Sequence, residues 1–292
     1  MSKANSLLVL FFAYAISLLL GWWVAELIAP SHPIYFVAVA DVVATLVIFA
    51  FSFGLKNSSV YDPYWSVIPI AIAGYWLWEA RSTGVAVNEL RQWILLAVVC
   101  FWGVRLTFNF ARGWPGLSHA DWRYVDLAEQ HGKAYWLISF GGVHFMPTVL
   151  VFFGMVPVYF AMNSATPMGG WDALGMFIAV GGTLIETIAD EQLREYRRVR
   201  PENEPFLRHG LWRYSRHPNY FGEISLWVGL FLFIFSLGRS DLYWTGAGAL
   251  AMIVLFVFIS IPMIDKRMAS SKPGYEDHMQ KVSALIPWFP RY

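Results

Sequence analysis

The segment LLVLFFAYAISLLLGWWVAELI, residues 7–28, indicates the class of fold. It contains 22 mostly apolar residues in succession, and about 20 such residues cross the hydrocarbon core of a bilayer as an α-helix. A signal peptide would have a shorter apolar region followed by a small-residue cleavage site, which this stretch lacks. Residues 7–28 therefore predict a transmembrane helix.

The composition of the whole chain agrees with a membrane protein. Of the 292 residues, 57% are hydrophobic and 14% are charged, whereas soluble domains carry about 25% charged residues. The only cysteine, Cys100, excludes a disulfide framework and a cysteine metal cluster. These values exclude a disordered chain, a secreted disulfide scaffold and an ordinary cytosolic enzyme.

Seven further apolar stretches follow the first. Each is continuous rather than alternating, which excludes a transmembrane β-barrel. The sequence predicts an all-α membrane protein with about eight transmembrane helices. These predicted spans are Leu7–Ile28, Ile34–Leu55, Tyr64–Trp78, Trp93–Phe110, Tyr135–Tyr159, Trp171–Ala189, Pro218–Leu237 and Trp244–Ile264.

The distribution of lysine and arginine orients these spans. Seventeen of the 21 lie at the N-terminus or after even-numbered spans, three lie after odd-numbered spans, and Arg105 lies within a span. Because positive residues favour the cytoplasmic side, both termini are predicted to be cytoplasmic.

Four ionisable residues are predicted near the same membrane face. Charged groups within membrane spans are costly and are functional candidates for that reason. At 1.5 Å per residue, Arg105 and Glu223 lie roughly 8 Å inside their spans. Glu186 lies about one turn inside its span, and Asp62 stands at the entry of the third.

Other polar residues of the spans fit a structural role better. Asp41 and Glu26 are expected to pair inside the helix bundle. A single buried histidine such as His144 is more often a core residue with its hydrogen bonds satisfied than a ligand.

A stripe of charges marks the end of the sixth span. Glu186, Asp190, Arg194 and Arg197 recur at helical spacing and share one face. One interpretation is a solvated helix end with ion pairs. The other is a pocket wall whose carboxylates hold ribose or amide groups and whose arginines hold phosphates.

The segment RHPNYFGE, residues 216–223, introduces the seventh span. Pro218 suits the first turn of a helix, whose free N–H groups attract anions. An arginine, a histidine and Asn219 stand beside that terminus, which favours an anion and amide site. A simple membrane-entry anchor is the alternative, but it would need neither Asn219 nor Glu223.

With these motifs the sequence resembles the steroid 5-alpha-reductase-like family, and more closely its bacterial membrane branch, the DUF1295 proteins. The resemblance covers most of the chain. It rests on YDPYWS at 61–66, WGVRLTFNFARGWPG at 102–116, DWRY at 121–124, ETIADEQLR at 186–194, RHPNYFGE at 216–223, KPGY at 272–275 and IPW at 286–288.

The resemblance implies an NADPH-dependent membrane reductase that saturates a carbon–carbon bond conjugated to a carbonyl in a lipophilic, steroid-like substrate. It also implies one polytopic domain, 1–292, with N-terminal helices in 1–60 and a reductase-like core in 61–292. The cofactor half of that core is 171–292. Of the eight predicted spans, seven correspond to a seven-helix reductase-like core and one is an additional N-terminal helix. The implied location is a bacterial inner membrane, with the cofactor site facing the cytoplasm.

The family pattern, carried over residue by residue, assigns roles. Asp62, Tyr64 and Glu223 are the expected catalytic residues; Asp62 would polarise the substrate carbonyl, with Tyr64 in place of the family's assisting tyrosine. The residues expected to bind the cofactor are Arg105, Asn109, Arg112, Glu186, Asp190, Arg194, Arg197, Tyr214, Arg216, His217, Asn219, Arg267 and His278. Those expected to contact the substrate are Tyr61, Trp65 and His144.

This chain departs from the pattern at three positions. Tyr61 replaces the family's substrate-side glutamine, Asp62 is shorter than its glutamate, and His278 stands where many relatives have a tyrosine. The resemblance therefore implies the cofactor more strongly than the substrate.

Two other classes of function remain open. A membrane methyltransferase that uses S-adenosylmethionine, of the isoprenylcysteine or phospholipid type, shares the late RHP stretch, but NADPH suits the seven cations of residues 194–216 better. A structural bundle that binds anionic lipids would explain the basic face, but not the acids in the spans. No nucleic-acid motif or metal-ligand spacing is present, and the sequence does not indicate an oligomeric state.

Overall fold

The computed structural model describes residues 1–199 and 204–291, and all regular structure within these ranges is helical. Arg200, one of the seven cations counted above, lies outside the described residues. Within the described part of the chain, seven helical stretches are long and apolar enough to cross a membrane. They are Lys3–Ile28, Pro33–Gly54, Glu89–Gly113, Trp122–Met162, Gly170–Val199, Pro218–Leu237 and Ser240–Ser271. The prediction of an all-α chain with several membrane-spanning helices is confirmed.

The third predicted span accounts for the difference between seven stretches and the expected eight. It forms a helix, Tyr64–Ser82, which is not one of the seven. Its C-terminal half contains tyrosine, tryptophan, Glu79 and Arg81, which lower its mean hydropathy. That this helix crosses the membrane and that both termini are cytoplasmic stay predictions.

The chain forms two compact units, and the first comprises Met1–Ala165. Its α-helices are α1 (Lys3–Ile28), α2 (Pro33–Gly54), α3 (Tyr64–Ser82), α4 (Glu89–Gly113), α5 (Trp122–His131), α6 (Tyr135–Ile138) and α7 (Met146–Met162). A π-helix, Ser139–Phe145, joins α6 to α7. The Asp121 side chain caps α5 by accepting a hydrogen bond from the Arg123 N–H at 2.9 Å.

Glycines allow the helices of the N-terminal unit to approach closely. A Cβ at Gly21 of α1 would lie 2.4 Å from the carbonyl oxygen of Ala40 in α2. A Cβ at Gly103 of α4 would lie 2.4 Å from the carbonyl oxygen of Ser66 in α3. Membrane helices associate through such small residues because the hydrophobic effect does not drive their packing in lipid.

The second compact unit comprises Thr166–Tyr292. Its α-helices are α8 (Gly170–Val199), α9 (Pro218–Leu232), α10 (Ala247–Val254), α11 (Ile261–Ser271) and α12 (Tyr275–Lys281). Short 3₁₀ segments at Gly210–Arg213, Phe233–Leu237 and Ser240–Gly246 and a π-helix at Leu255–Ser260 connect them.

Small residues also set the contact between α8 and α9. A Cβ at Gly222 would lie 2.4 Å from the carbonyl oxygen of Gly182, and one at Gly229 would lie 2.7 Å from that of Gly175. The two helices therefore pack backbone to backbone over more than one turn. This contact fixes the start of α9 against the middle of α8.

Candidate functional site

A cavity of about 670 Å³ lies in the C-terminal unit, between the end of α8, the start of α9, and helices α11 and α12. This volume is typical of small-molecule pockets, which span about 300–1,000 Å³. The side chains that line it include five of the predicted cofactor residues, namely Arg197, Arg216, His217, Asn219 and His278. Lys272, Glu204 and several aromatic and aliphatic side chains complete the lining.

Asp265 of α11 organises one wall of this cavity. Its Oδ2 accepts a hydrogen bond from the Arg216 guanidinium at 2.7 Å. Its Oδ1 accepts from His217 Nε2 at 2.9 Å and from the Tyr275 hydroxyl at 2.7 Å. We call these four residues the Asp265 cluster. The cluster fixes the start of α9 against α11 and α12, because its side chains are nearly all buried and mutually hydrogen-bonded.

The remaining donors of Arg216 also point to protein groups. Its Nη1 donates to the carbonyl oxygens of Met279 and Val282, at 2.8 and 2.7 Å. Arg216 therefore joins α9 to α12 and to the segment after it, so that its first contribution is to the shape of the cavity wall. A ligand in the cavity would meet cations at Arg197 and Lys272.

His278 lines the cavity as an uncharged ring. Burial, together with the nearby Arg216 and Arg208 cations, lowers its pKa to about 4. Its ring packs against Phe206, with the ring centroids 5.0 Å apart. At neutral pH this uncharged histidine can donate or accept a hydrogen bond with a ligand but cannot neutralise the charge of a phosphate.

Asn219 stands at the N-terminus of α9, directly after Pro218 in the first turn. Its Nδ2 donates to Asp190 Oδ1 at 3.5 Å. Its buried Oδ1 has no hydrogen-bond partner among the described residues. Since buried polar atoms are normally paired, this oxygen is available to accept a hydrogen bond from an amide or hydroxyl group of a ligand.

Glu186 and Glu223 belong to the contact between α8 and α9. Gly222 lies so close to Glu186 that a Cβ there would be 2.7 Å from the Glu186 Cβ. Both glutamates are buried, and Glu223 accepts a hydrogen bond from Trp227 Nε1 at 2.9 Å. The packing of α8 against α9 therefore brings together the two segments that contain Glu186 and Glu223.

The charged stripe of α8 fits the pocket-wall interpretation at one residue and the solvated helix end at another. Arg197 lines the cavity, whereas Arg194 pairs with Glu191, with 3.6 Å between Nε and Oε2. Tyr214 packs its ring against Phe289, and the Arg267 carbonyl oxygen accepts from the hydroxyls that follow it in α11. Arg194, Tyr214 and Arg267 are not among the described residues that line the cavity.

In the N-terminal unit, Asp62 lies beside Tyr124, for which no role was predicted. The Tyr124 hydroxyl donates a hydrogen bond to Asp62 Oδ1. Burial raises the pKa of the Asp62 carboxyl to about 6, against the lowering effect of Arg123 and of the Tyr124 hydrogen bond. Arg123 pairs with Asp121 at 2.7 Å, and the bonds from Arg123 outweigh burial and lower the Asp121 pKa. Asp121, Arg123 and Tyr124 all belong to the DWRY motif at 121–124, so the motif indicated these neighbours of Asp62.

Tyr64, expected to assist in polarising the substrate carbonyl, is hydrogen-bonded to Asp41. Its hydroxyl donates to Asp41 Oδ1 at 2.8 Å. Asp41 was expected to pair within the bundle, and the partner found is a phenol rather than a cation. Tyr61 shares a hydrogen bond with Thr148 at 2.8 Å, and Thr148 shares another of 2.8 Å with Thr45. These fully or nearly buried hydroxyls form one polar network between α2, α3 and α7.

The other residues expected to contact the substrate lie in the same unit. His144, in the π-helix, is buried with its two ring nitrogens hydrogen-bonded to Ser52 Oγ and the Ser139 carbonyl oxygen. It therefore has the contacts expected of a core histidine. The Trp65 ring lies edge-on to Trp102, with the centroids 6.4 Å apart.

Arg105, Asn109 and Arg112 follow one another along α4. Arg105 is half-buried, whereas Arg112 is exposed at the end of the helix. Arg112 Nη2 lies 3.5 Å from Asn109 Oδ1 and the guanidinium lies over the Phe108 ring. That these three residues bind the cofactor stays a prediction.

Comparison with known proteins gives a family but no activity. A family model described as "Protein of unknown function (DUF1295)" matches residues 48–282. An uncharacterised protein of Schizosaccharomyces pombe is 25% identical over 263 residues, which are 82% of this chain and 76% of the yeast protein. No solved structure matches the chain significantly.

Proposed function

The chain belongs to the DUF1295 family, that of the steroid 5-alpha-reductase-like proteins, and from this premise we propose that it is an NADPH-dependent membrane reductase. The proposed reaction saturates a carbon–carbon double bond conjugated to a carbonyl in a lipophilic, steroid-like substrate. The proposed cofactor site is the cavity of the C-terminal unit. In this proposal the site faces the cytoplasm and both termini lie on that side.

The cavity lining is the observation that carries the proposal. Five residues singled out in the sequence for the cofactor, from α8 to α12, line a single cavity of suitable volume. Arg197 and Lys272 offer charge-assisted hydrogen bonds to phosphates. The Asn219 oxygen and the N-terminus of α9 suit an amide or hydroxyl donor and an anion respectively. The donor set therefore fits a dinucleotide with several phosphate groups.

The cations of the cavity lining also help to distinguish a reductase from a methyltransferase. NADPH carries a pyrophosphate and a 2′-phosphate, and the cavity offers Arg197 and Lys272 to such groups. S-adenosylmethionine carries a cationic sulfonium, which these side chains would repel. The charges favour the reductase.

NADPH, when bound, supplies hydride to the substrate. The Asp265 cluster would hold the cavity wall in shape, and Arg197, Asn219 and Lys272 would hold the nucleotide. Asp62 is proposed to donate a hydrogen bond to the substrate carbonyl. Its raised pKa keeps part of the population protonated near neutral pH, and Tyr124 holds the carboxyl in position.

Ligand-induced thermal stabilisation of the detergent-solubilised protein tests the proposal. We expect NADPH to raise the unfolding temperature and S-adenosylmethionine to leave it unchanged, because only a ligand that binds the folded state stabilises it. Arg197→Ala should reduce the stabilisation by NADPH. Arg198→Ala is the matched control, since Arg198 is exposed and pairs with Glu195 at 2.7 Å. Stabilisation by S-adenosylmethionine alone would assign the cavity to a methyltransferase instead.

A further inference from the structure

The segment after α12 exposes large apolar side chains outside the seven candidate membrane spans. Ile286, Trp288 and Phe289 are 62%, 69% and 76% exposed, and the last candidate span ends at Ser271. Exposed apolar side chains that cluster usually mark an interaction surface. We call these three residues the tail ridge.

The backbone of this segment is held in place rather than frayed. The Ser215 hydroxyl donates to the Leu285 carbonyl oxygen at 2.8 Å, and the Trp288 N–H donates to the Tyr214 carbonyl oxygen at 2.9 Å. The Arg291 N–H donates to the Lys281 carbonyl oxygen at 2.9 Å. Because the chain is already ordered, a partner that covers the tail ridge would not have to order it first.

Three cations lie near the tail ridge. Arg213, Lys281 and Arg291 are exposed, and the hydrogen bond just described brings Arg291 to Lys281. The Arg213 guanidinium lies 6.0 Å from the Tyr214 ring centroid, and the Tyr214 ring lies 5.9 Å from that of Phe289. The acids of α12 lie in its first turn, whereas Lys281 is its last residue.

We propose that the tail ridge and its three cations lie in the headgroup region of the bilayer and bind anionic phospholipid. Tryptophan is enriched at that depth, and anionic lipids attract cations next to a membrane span. A patch of three apolar side chains is small for a stable protein–protein interface, which buries about 800 Å² on each partner. The proposal does not depend on the proposed function.

Spin labelling in nanodiscs measures the position of the tail ridge directly. Cys100 is the only cysteine, so a Cys100→Ser background allows a single label at Ile286→Cys that leaves Trp288 and Phe289 in place. The control label is Glu276→Cys, at an exposed position in the first turn of α12. We expect oxygen, which partitions into lipid, to reach the 286 label several-fold better than a water-soluble nickel reagent, and the reverse ranking at 276.

Lipid composition tests the role of the cations. Adding phosphatidylglycerol to phosphatidylcholine nanodiscs should lower the nickel accessibility of the 286 label, and Lys281→Ser with Arg291→Ser should abolish that change. Arg239→Ser is the matched control, because this exposed cation pairs with Asp241. Equal nickel accessibility at 286 and 276 would overturn the proposal. Shielding of the 286 label from both reagents would overturn it in favour of a protein partner or a second copy.

Discussion

Removal of the charge of Asp265 is the perturbation whose effect the structure determines best. Asp265→Asn keeps the shape of the side chain but leaves the Arg216 guanidinium buried without a carboxylate. Breaking a buried ion pair by removing one partner costs about 3–5 kcal/mol. Domains of 150–250 residues lose about 2–4 °C of unfolding temperature per kcal/mol, so a loss of about 6–20 °C is expected.

The assay is thermal unfolding of the detergent-solubilised protein without nucleotide, followed by tryptophan fluorescence. Asp277→Asn is the matched control, because this aspartate is exposed in the first turn of α12. A surface substitution of this kind changes stability by about 0.5 kcal/mol or less. If the two variants unfolded at the same temperature, the Asp265 cluster would not hold the cavity wall.

A double substitution separates lost charge from lost packing. Arg216→Met with Asp265→Leu removes both charges, and such replacements are often neutral or stabilising. We expect the double variant to unfold at a higher temperature than Asp265→Asn, although it loses the Arg216 bonds to the backbone of α12 and the acceptor that Asp265 offers to His217 and Tyr275. A double variant less stable than the single one would contradict this explanation.

Three further predictions follow from the contacts described above. Gly222→Ala should destabilise the protein by about 1–3 kcal/mol, because a Cβ there meets backbone atoms of α8; Gly181→Ala, where nothing lies within 4 Å of a Cβ, should be neutral or stabilising by thermal unfolding. Burial raises the pKa of Asp62 from 3.8 to about 6, so its contribution to stability is complete below pH 3.8 and is lost as pH rises through 6. The unfolding temperature of the wild type should therefore fall relative to Asp62→Asn across that window, and a difference independent of pH would refute the assignment. Tyr124→Phe, which removes the hydroxyl that donates to Asp62, should lower enone turnover more than Tyr135→Phe does, measured as NADPH oxidation.

The sequence was sufficient to predict the helices, because an apolar run of sufficient length can satisfy its backbone in lipid only as a helix. Residues 7–28 and 34–55 illustrate this, since both lie almost entirely within observed helices. The third span was harder to classify, because its polar and aromatic residues make a helix that is not among the seven stretches long and apolar enough to cross a membrane.

Local motifs also indicated part of the candidate site. RHPNYFGE supplied Arg216, His217 and Asn219, and helical spacing along α8 supplied Arg197; all four line the cavity. These residues could be found because the residue types and their spacing are visible within a few turns of chain.

Partners distant in the sequence could not be predicted. Asp265 lies 48 residues from His217, and Tyr124 lies 62 residues from Asp62. Periodicity fixes which face of a helix is apolar, but not which residues of another helix stand opposite it. For the same reason the hydrogen bond from the Tyr64 hydroxyl to Asp41 of α2 could not be predicted.

A density map of the protein determined by electron cryomicroscopy with added NADPH would show whether the cavity of the C-terminal unit binds the dinucleotide. We expect nucleotide density within the C-terminal cavity, with phosphate density next to Arg197 and Lys272 and a hydrogen bond to the Asn219 side-chain oxygen. A map at side-chain resolution that showed this cavity empty, with NADPH bound elsewhere or not at all, would contradict this expectation.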